Sequence, residues 1–414
     1  MKSTKARVLL IHYYFPPRGG VAVQRFLKFC KYLECYDCRV FVLTSGAEYT
    51  SFRDDSLCDS ISPSTLVFTT HKPGQKQSIE GQFGRKNIFL DAFLSWAPVA
   101  INKARKIIRL YDIDVIFTTS PPHSQQLIGL FLKTASGIPW IADFRDPWTS
   151  DSRFMKNKRN LQFFLEKYVE KLVLQRADVV IATTRKAAEA FCLKAPRRCQ
   201  KRKFECITNG YDPADYGSGS AKNSIERRLV FTYVGSTGQY ISDPSYFLRA
   251  LRQVLNADLD LEKILVRFVG NKDRRTEDLI RNLDLERVVK NVGNIPHKKA
   301  IEFMLMSDIL LLFEIPVDTE RPTMVIPSKI FEYMGAQRPV MAMVAEGDTA
   351  DLVREYGLGE VINPTSIKDI AKAIWKYSMQ FGNGELRRPD SPPADFTRKE
   401  QSRRLAGIIH GLRR

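Results

Sequence analysis

Nowhere in the 414 residues is there an uncharged apolar run approaching the roughly 18 that a membrane-spanning helix needs. The N-terminus, Met1-Lys2-Ser3-Thr4-Lys5, leads into a strand-like run and not into the core of a signal peptide. A cytoplasmic protein is therefore expected. Cysteine offers no framework either: the seven (Cys30, Cys35, Cys38, Cys58, Cys192, Cys199, Cys206) are odd in number and irregularly spaced, which fits reduced thiols better than disulfides. Cys35-Tyr-Asp-Cys38 lacks the two further ligands that a metal site needs and does not open a helix as a redox pair would, so these read as incidental thiols. Acidic residues are in deficit, 46 against 64 Lys and Arg, for a net charge of +18. Such a surface attracts something anionic: nucleic acid, an acidic membrane or a phosphorylated substrate. The interleaved aromatic and basic residues of single-strand binders are missing, as is any recognisable nucleic-acid module, which argues against nucleic acid. The Gly-x-Gly-x-x-Gly fingerprint is missing too, which disfavours a dinucleotide cofactor.

What is present is ordinary globular usage, 44% apolar and 27% charged, in a chain longer than one core usually serves, so two domains with a cleft are expected. The first half alternates β and α signals. An apolar run from Val8 to Tyr14 meets a loop with Pro16, Pro17, Gly19 and Gly20, then the helix-periodic Val23, Phe26, Leu27, Cys30 and Leu33. Strand runs at 39–44, 115–118, 140–143 and 179–183 continue it, predicting a mostly parallel sheet. The polar stretch 45–94 reads as an insertion over the cleft mouth. Turn formers crowd 209–220 before a new strand at 229–234, which marks a boundary. Strands at 265–269, 288–292, 309–313 and 340–344 follow, with helices between. The expected plan is an α/β fold of two Rossmann-like, doubly wound domains: 1–212, a linker at 213–228, 229–380, and a tail at 381–414 ending in a basic helix with the sticky face Leu405, Ile408 and Ile409.

In open parallel sheets ligands sit beyond the carboxyl ends of the strands, so residues just after those strands are the candidates. Arg18-Gly19-Gly20 runs from the first strand into a helix, offering backbone N–H groups, a helix N-terminus and a cation to a phosphate; a tight strand-to-helix turn is the bland reading. Ser120-Pro-Pro-His123 and Asp143-Phe-Arg-Asp-Pro-Trp148 follow two further strands. Asp143, Arg145 and Asp146 suit sugar hydroxyls and the positioning of an acceptor, or else an Arg–Asp pair bracing the loop. In the second domain Gly235-Ser236-Thr-Gly238 can approach a phosphate, while Ser328, Lys329 and Glu332 open a helix. The i, i+3 spacing puts Lys329 and Glu332 on one side, the lysine for a diphosphate and the carboxylate for ribose hydroxyls; a plain surface pair is the alternative.

These stretches, namely His12-Tyr-Tyr-Phe-Pro-Pro-Arg-Gly-Gly-Val21, Thr119-Ser-Pro-Pro-His123, Ile138-Pro-Trp-Ile-Ala-Asp-Phe-Arg-Asp-Pro-Trp148, Asn209-Gly-Tyr-Asp212 and Pro327-Ser-Lys-Ile-Phe-Glu-Tyr-Met-Gly335, together resemble the retaining glycosyltransferases of family four, which have the GT-B fold. The resemblance runs from end to end. It implies two facing domains, a nucleotide-diphosphate sugar held mainly by the second (UDP as the prior), a saccharide or lipid-linked acceptor held mainly by the first, no metal or other cofactor, and a terminal helix crossing back to the first domain. Carried over by position, Arg18, Gly19, Gly20, Gly235, Ser236, Ser328, Lys329 and Glu332 bind the donor, and His123, Asp143 and Asp146 the acceptor. Asp146, Arg145 and Lys329 act in catalysis, and Glu332 is the second glutamate of the family's Glu-(seven residues)-Glu motif. Met324 stands where the first glutamate belongs, Arg145 where many relatives carry a histidine, and Arg321 is the candidate substitute for basic residues that relatives place after the Gly235 loop. Departure of the diphosphate on the face that the acceptor attacks makes the protein's part mainly electrostatic.

Cell-surface polysaccharide or lipopolysaccharide assembly is the expected setting, on the inner face of a membrane. The basic run Lys194, Arg197, Arg198, Lys201, Arg202 and Lys203, and the segment 93–98 followed by Lys103, Arg105, Lys106 and Arg109, are candidates for an anionic membrane surface; a solvated loop and a core helix explain them equally. The alternatives on the same fold are a nucleotide-sugar epimerase and a non-catalytic nucleotide-sugar binder.

Overall fold

The computed structural model describes residues 5–46, 52–70, 90–91, 93–150, 160–196, 203–217, 228–238, 242–257, 261–314 and 324–413. Internal contacts divide the chain into two units, Met1–Gly210 with Asp395–Arg414, and Tyr211–Ala394. Among the described residues no helix is long and apolar enough to cross a membrane.

In the first unit the strands β1 (Ala6–Ile11), β2 (Cys38–Thr44), β3 (Leu66–Thr69), β4 (Val115–Ser120), β5 (Trp140–Phe144), β6 (Val179–Ala182) and β7 (Phe204–Cys206) form one sheet in the order β3-β2-β1-β4-β5-β6-β7. Every neighbouring pair is parallel. The central strands are near-continuous Val, Ile, Leu and Phe because helices cover both faces. Helix α1 (Val21–Leu33) sends Val23, Phe26, Leu27 and Cys30 into the core with Val8, Leu10 and Phe117. Helices α2 (Ala97–Tyr111), α3 (Ser124–Ser136), α4 (Asn160–Arg176) and α5 (Arg185–Lys194) follow in chain order.

The final helix of the chain also belongs to this unit. It is capped by Thr397, whose hydroxyl accepts from the Glu400 N–H, and it buries Leu405, Ala406 and Ile409 in the same core as α1. Full burial of Leu405 and Ile409 stabilises by about 1.5–3 kcal/mol each. Gln401 adds a donor to the Asn209 carbonyl at 2.8 Å and Arg404 one to Cys206 at 2.8 Å.

The second unit holds β8 (Leu229–Val234), β9 (Ile264–Val269), β10 (Val289–Gly293), β11 (Ile309–Phe313), β12 (Val340–Met343) and β13 (Gly359–Ile362), ordered β10-β9-β8-β11-β12-β13 and again parallel throughout. Helices α6 (Ser245–Asn256), α7 (Arg274–Asn282), α8 (His297–Leu305), α9 (Lys329–Ala336), α10 (Asp348–Glu355) and α11 (Ile367–Gly382) alternate with the strands; the terminal helix, Arg398–Leu412, is α12. Tyr333 of α9 reaches the sheet beneath it, donating to the Leu311 carbonyl at 3.0 Å and accepting from the Val234 N–H at 3.1 Å.

Each sheet thus reverses its strand order at one place, between β1 and β4 and between β8 and β11. Those are the topological switch points, where the loops on either side diverge and leave a crevice at the carboxyl ends. Three strands carry no clear signal in the sequence. β3, β7 and β13 are short outer strands whose residues are mostly half-buried or exposed, so the apolar run that betrays a central strand is missing. Part of the polar stretch 45–94 is therefore an edge of the sheet; residues 71–89 lie outside the described residues.

Candidate active site

At the first switch point the loop after β1 is tied to a neighbouring turn. The Gly19 N–H donates to the Phe52 carbonyl at 3.0 Å and the Asp54 N–H to Pro17 at 2.9 Å. Gly19 is obligatory for packing, since a Cβ there would strike the Phe52 ring. Gly20 differs: it sits at φ +98° with open space where a Cβ would point, and begins α1 with no side-chain cap and no acid in the first turn. Its helix N-terminus leaves backbone N–H groups available for an anion.

Arg18, expected to offer a cation to a phosphate, is turned towards the interior. It is buried at 5% exposure, its Nε donates to the Gly46 carbonyl at 3.1 Å, and its guanidinium lies over the rings of Tyr13 and Tyr14 at 5.2 and 5.8 Å. Asp143 is likewise withdrawn. It lies within β5 and is fully buried, accepts from Thr119 at 2.6 Å, and forms a 2.8 Å ion pair with Arg25 of α1. The bracing alternative therefore holds for Asp143, with Arg25 as the partner and not Arg145. Arg25 also donates to the carbonyls of Ile207 and Thr208, so one buried guanidinium joins α1, β5 and the end of β7.

Arg145 is a brace as well. Its donors go to the carbonyls of Ser120 and Pro121, at and just after the end of β4, and of Ala22 in the first turn of α1, and burial lowers its pKa. Asp146 is half-buried beside it and interacts with its charge. His123 is half-buried at the N-terminus of α3 and stacks flat on Trp148, 4.7 Å between centroids and 5° between planes. Trp148 is held at φ +36°, a conformation uncommon for a bulky residue, and its indole donates to the buried Glu166 at 3.2 Å. Asp146 and His123 are thus the members of the expected acceptor set that reach this unit's surface.

His12 escaped notice as a site residue because it reads as the tail of an apolar strand. Its Nδ1 is 3.1 Å from Gln125 Oε1 and its Nε2 is 3.2 Å from the Ala22 carbonyl. Burial, and then the Arg145 charge, hold its pKa down at about 3. It is a neutral polar strut, and no charge in the sequence pattern could have indicated that.

At the second switch point the expected donor residues come together. Gly235 follows β8 at φ +139°, and a Cβ there would sit 2.9 Å from Lys329 Nζ. Lys329 donates to the Tyr233 hydroxyl at 2.7 Å and lies over that ring at 4.5 Å, while the Tyr233 hydroxyl donates to the Ser236 carbonyl at 3.0 Å. One tyrosine thus fixes both the ammonium and the glycine loop. Ser236 is exposed, and Ser328 begins α9 without a side-chain cap bond. One turn on, Glu332 Oε1 lies 3.0 Å from His297 Nε2, both side chains about four-fifths buried. Tyr216 donates to the Glu332 carbonyl at 2.7 Å.

Sequence reasoning missed His297, a lone histidine opening a different helix, and also Gly270 and Gly293. Gly270 follows β9 at φ +134° and Gly293 ends β10 at φ +78°, and the Gly270 N–H donates to the Gly293 carbonyl at 2.9 Å. A side chain at Gly270 would collide with the Gly235 carbonyl, so the Gly235 turn rests on a second turn that must itself be bare. Met324 is half-buried and contributes no carboxylate; Arg321 lies outside the described residues. Among the described residues no group of three or more His, Cys, Asp or Glu is arranged to hold a metal ion.

The family model described as Glycosyltransferase Family 4 matches residues 25–215, and that described as Glycosyl transferases group 1 matches residues 220–379. No curated protein matches the chain. Similar solved structures include HepE from Anabaena in complex with UDP, at 17% identity, 98% of this chain and 97% of that one covered, TM-score 0.59. WaaG, a glycosyltransferase involved in lipopolysaccharide biosynthesis, is 15% identical with 97% and 95% covered and TM-score 0.62. The UDP-GlcNAc 2-epimerase from Methanocaldococcus jannaschii is 10% identical with 98% and 99% covered and TM-score 0.58. At such identities the likeness shows the fold, two Rossmann-like domains of the GT-B type.

Proposed function

The chain belongs to the group 1 glycosyltransferases, the two family models together spanning most of it, and from that premise we propose that it transfers a sugar, with retention at the anomeric carbon, from a nucleotide-diphosphate donor to a saccharide or lipid-linked saccharide. UDP is the proposed nucleotide, in keeping with the UDP-bound Anabaena structure of similar fold. The proposed setting is cell-surface polysaccharide or lipopolysaccharide synthesis on the cytoplasmic face of an anionic membrane, in keeping with the lipopolysaccharide enzyme among the similar structures.

The observation that carries the donor assignment is the convergence of Gly235, Lys329 and Glu332 at the carboxyl edge of one sheet. Gly235 offers a backbone surface that a diphosphate can approach without meeting a Cβ, and Ser236 beside it is exposed. Lys329 supplies the cation, held by Tyr233 so that no side-chain reorganisation is needed as charge builds on the departing phosphate. Glu332, facing His297, presents a carboxylate to paired ribose hydroxyls, and Ser328 adds the uncapped start of α9. In the first unit, Gly20 leaves α1 open to an anion, and Asp146 and His123 are proposed to orient the acceptor. Arg145 acts through Asp146 and the surrounding carbonyls as a positioning residue. The departing diphosphate takes the acceptor's proton on this reading, so no metal and no imidazole base are required.

The test is a thermal-shift panel of UDP, GDP, ADP and TDP with their sugar conjugates on the wild type and on Glu332→Ala, since a ligand at 100 times its Kd stabilises by about 2.7 kcal/mol. A shift for one base that Glu332→Ala abolishes supports the donor site; no shift with any nucleotide overturns it. The epimerase among the similar structures keeps one rival reading in view. Nucleotide release that requires an added acceptor speaks for transfer, and release without one, alongside an altered free sugar, speaks for the rival.

A further inference from the structure

The first turns of helix α4 are built inside out, whereas Val173 and Leu174 near its end are buried in the ordinary way. Its two carboxylates, Glu166 and Glu170, are buried. Glu166 accepts from the Trp148 indole at 3.2 Å and from Gln162 at 3.2 Å. Glu170 accepts from the Thr149 N–H at 3.1 Å and pairs with Lys194 at 2.8 Å. On the opposite face the helix exposes Leu161, Phe164, Leu165 and Tyr168, at 72, 66, 44 and 62%. Their spacing of i, i+3, i+4 and i+7 makes one continuous stripe. Exposed apolar residues scattered singly need no explanation, but four large ones in a row mark a contact surface.

Charge identifies what the surface fits. All three cations of the helix, Lys167, Lys171 and Arg176, are exposed, while both of its anions are turned inward. Lys167 lies over the Phe163 ring at 4.2 Å, keeping its ammonium beside the stripe. The outer face therefore offers only apolar and cationic groups. A second copy meeting it about a two-fold axis would set these cations against their own kind. An anionic bilayer gives the stripe a hydrocarbon boundary and the cations their phosphates, the arrangement of an interfacial amphipathic helix.

We infer that the outer face of α4 is the surface by which this protein docks on an anionic lipid bilayer. The inference rests on the proposal that the enzyme works at a membrane, and it places the contact on a helix that the sequence did not suggest; of the basic residues expected to face a membrane, Arg105, Lys106 and Arg109 are exposed on α2. Phe93 and Trp96 of segment 93–98 pack on Tyr13, at 4.5 and 5.3 Å between centroids, and serve the interior. Of the basic run, Lys194 is committed to Glu170 and Lys203 donates to the carbonyls of Gln175 and Ala177; residues 197–202 lie outside the described residues. The buried half of the helix links the surface to the site, since Glu166 and Glu170 grip Trp148 and Thr149 directly below His123.

The experiment is sedimentation of the full chain with phosphatidylglycerol-containing vesicles and with pure phosphatidylcholine vesicles at low salt, alongside light-scattering mass measurement. Two variants accompany the wild type, Phe164→Ser with Leu165→Ser, and Lys167→Glu with Lys171→Glu. The expected result is binding to the anionic vesicles that falls by about tenfold or more in each variant, with melting temperature and nucleotide response kept, because the altered side chains lie outside the core. The charge-reversal pair carries the test if the serine pair fails to fold. Wild-type binding that neither variant weakens overturns this face while leaving the membrane reading intact. No wild-type binding to either vesicle overturns both. A wild-type dimer that the substitutions dissociate identifies a second copy as the occupant and overturns the lipid.

Discussion

The two switch points share a topology and use their charges in opposite ways. In the first unit Arg18, Arg25, Asp143 and Arg145 are all consumed in bracing the loops, on carbonyls, rings and one another. In the second, Lys329 and the mostly buried Glu332 of α9 keep part of their surface in solvent, fixed from behind by Tyr233 and His297. A charged residue after a parallel strand is thus no guide to its role. What decides is how completely the fold buries it: a pair taken out of water altogether, as Arg25 with Asp143, is committed to its partners because desolvation is costly.

That contrast can be broken from the interior outward. Removing one half of the buried pair, Arg25→Met or Asp143→Ala, should cost about 3–5 kcal/mol in denaturant unfolding, whereas Glu332→Ala should leave stability within about 1 kcal/mol and abolish the nucleotide-induced thermal shift. Equal stability losses would erase the distinction between the two units.

Next in size is the acid sensitivity of the first unit. His12 has a folded pKa of about 3 against 6.5 when unfolded, so between those values the unfolded chain binds the extra proton. Stability is then complete above about pH 6.5 and declines as pH falls towards 3, by roughly 1.4 kcal/mol per pH unit at most. Melting temperatures recorded down this range should fall more steeply in the wild type than in His12→Gln; parallel curves would remove His12 as the cause.

Two glycines sharpen the comparison further. Gly235→Ala forces a Cβ against Lys329 Nζ in a conformation that disfavours side chains, so nucleotide affinity should fall about tenfold or more and stability by about 1–3 kcal/mol. Gly20→Ala meets open space and should cost only about 1 kcal/mol, from its positive φ. The smallest effect is expected at His297. His297→Ala should weaken UDP severalfold while leaving 2′-deoxy-UDP nearly unchanged, and His297→Gln should restore the difference, if the histidine positions Glu332 for ribose. Titration calorimetry with both nucleotides separates this from a loss of fold, which would weaken both alike.

Much of the architecture was legible because buried parallel strands must be continuous apolar runs and their helices must be periodic, as at 8–14, 115–118, 229–234 and 309–313. The edge strands β3, β7 and β13 were not, since half-exposed strands carry mixed sequences. At the site, Lys329 and Glu332 could be paired from their i, i+3 spacing on one helix. His297 could not be joined to them, because it lies 35 residues away in the chain and no local period records that distance. Asp143 and Arg145 looked like a functional triad with Asp146 for the converse reason: adjacency in sequence says nothing about burial, and the residue that claims Asp143 is Arg25, 118 positions upstream.

Local composition by itself determined the two alternations of strand and helix, the glycine turns at the strand ends and the cationic balance of the chain. Tertiary structure alone decided which charges are spent inside and which face outward, and it turned α4 so that Glu166 and Glu170 point in while Leu161, Phe164, Leu165 and Tyr168 point out. The physical reason is that periodicity fixes the faces of an element, while the partners available across the fold fix which face is buried.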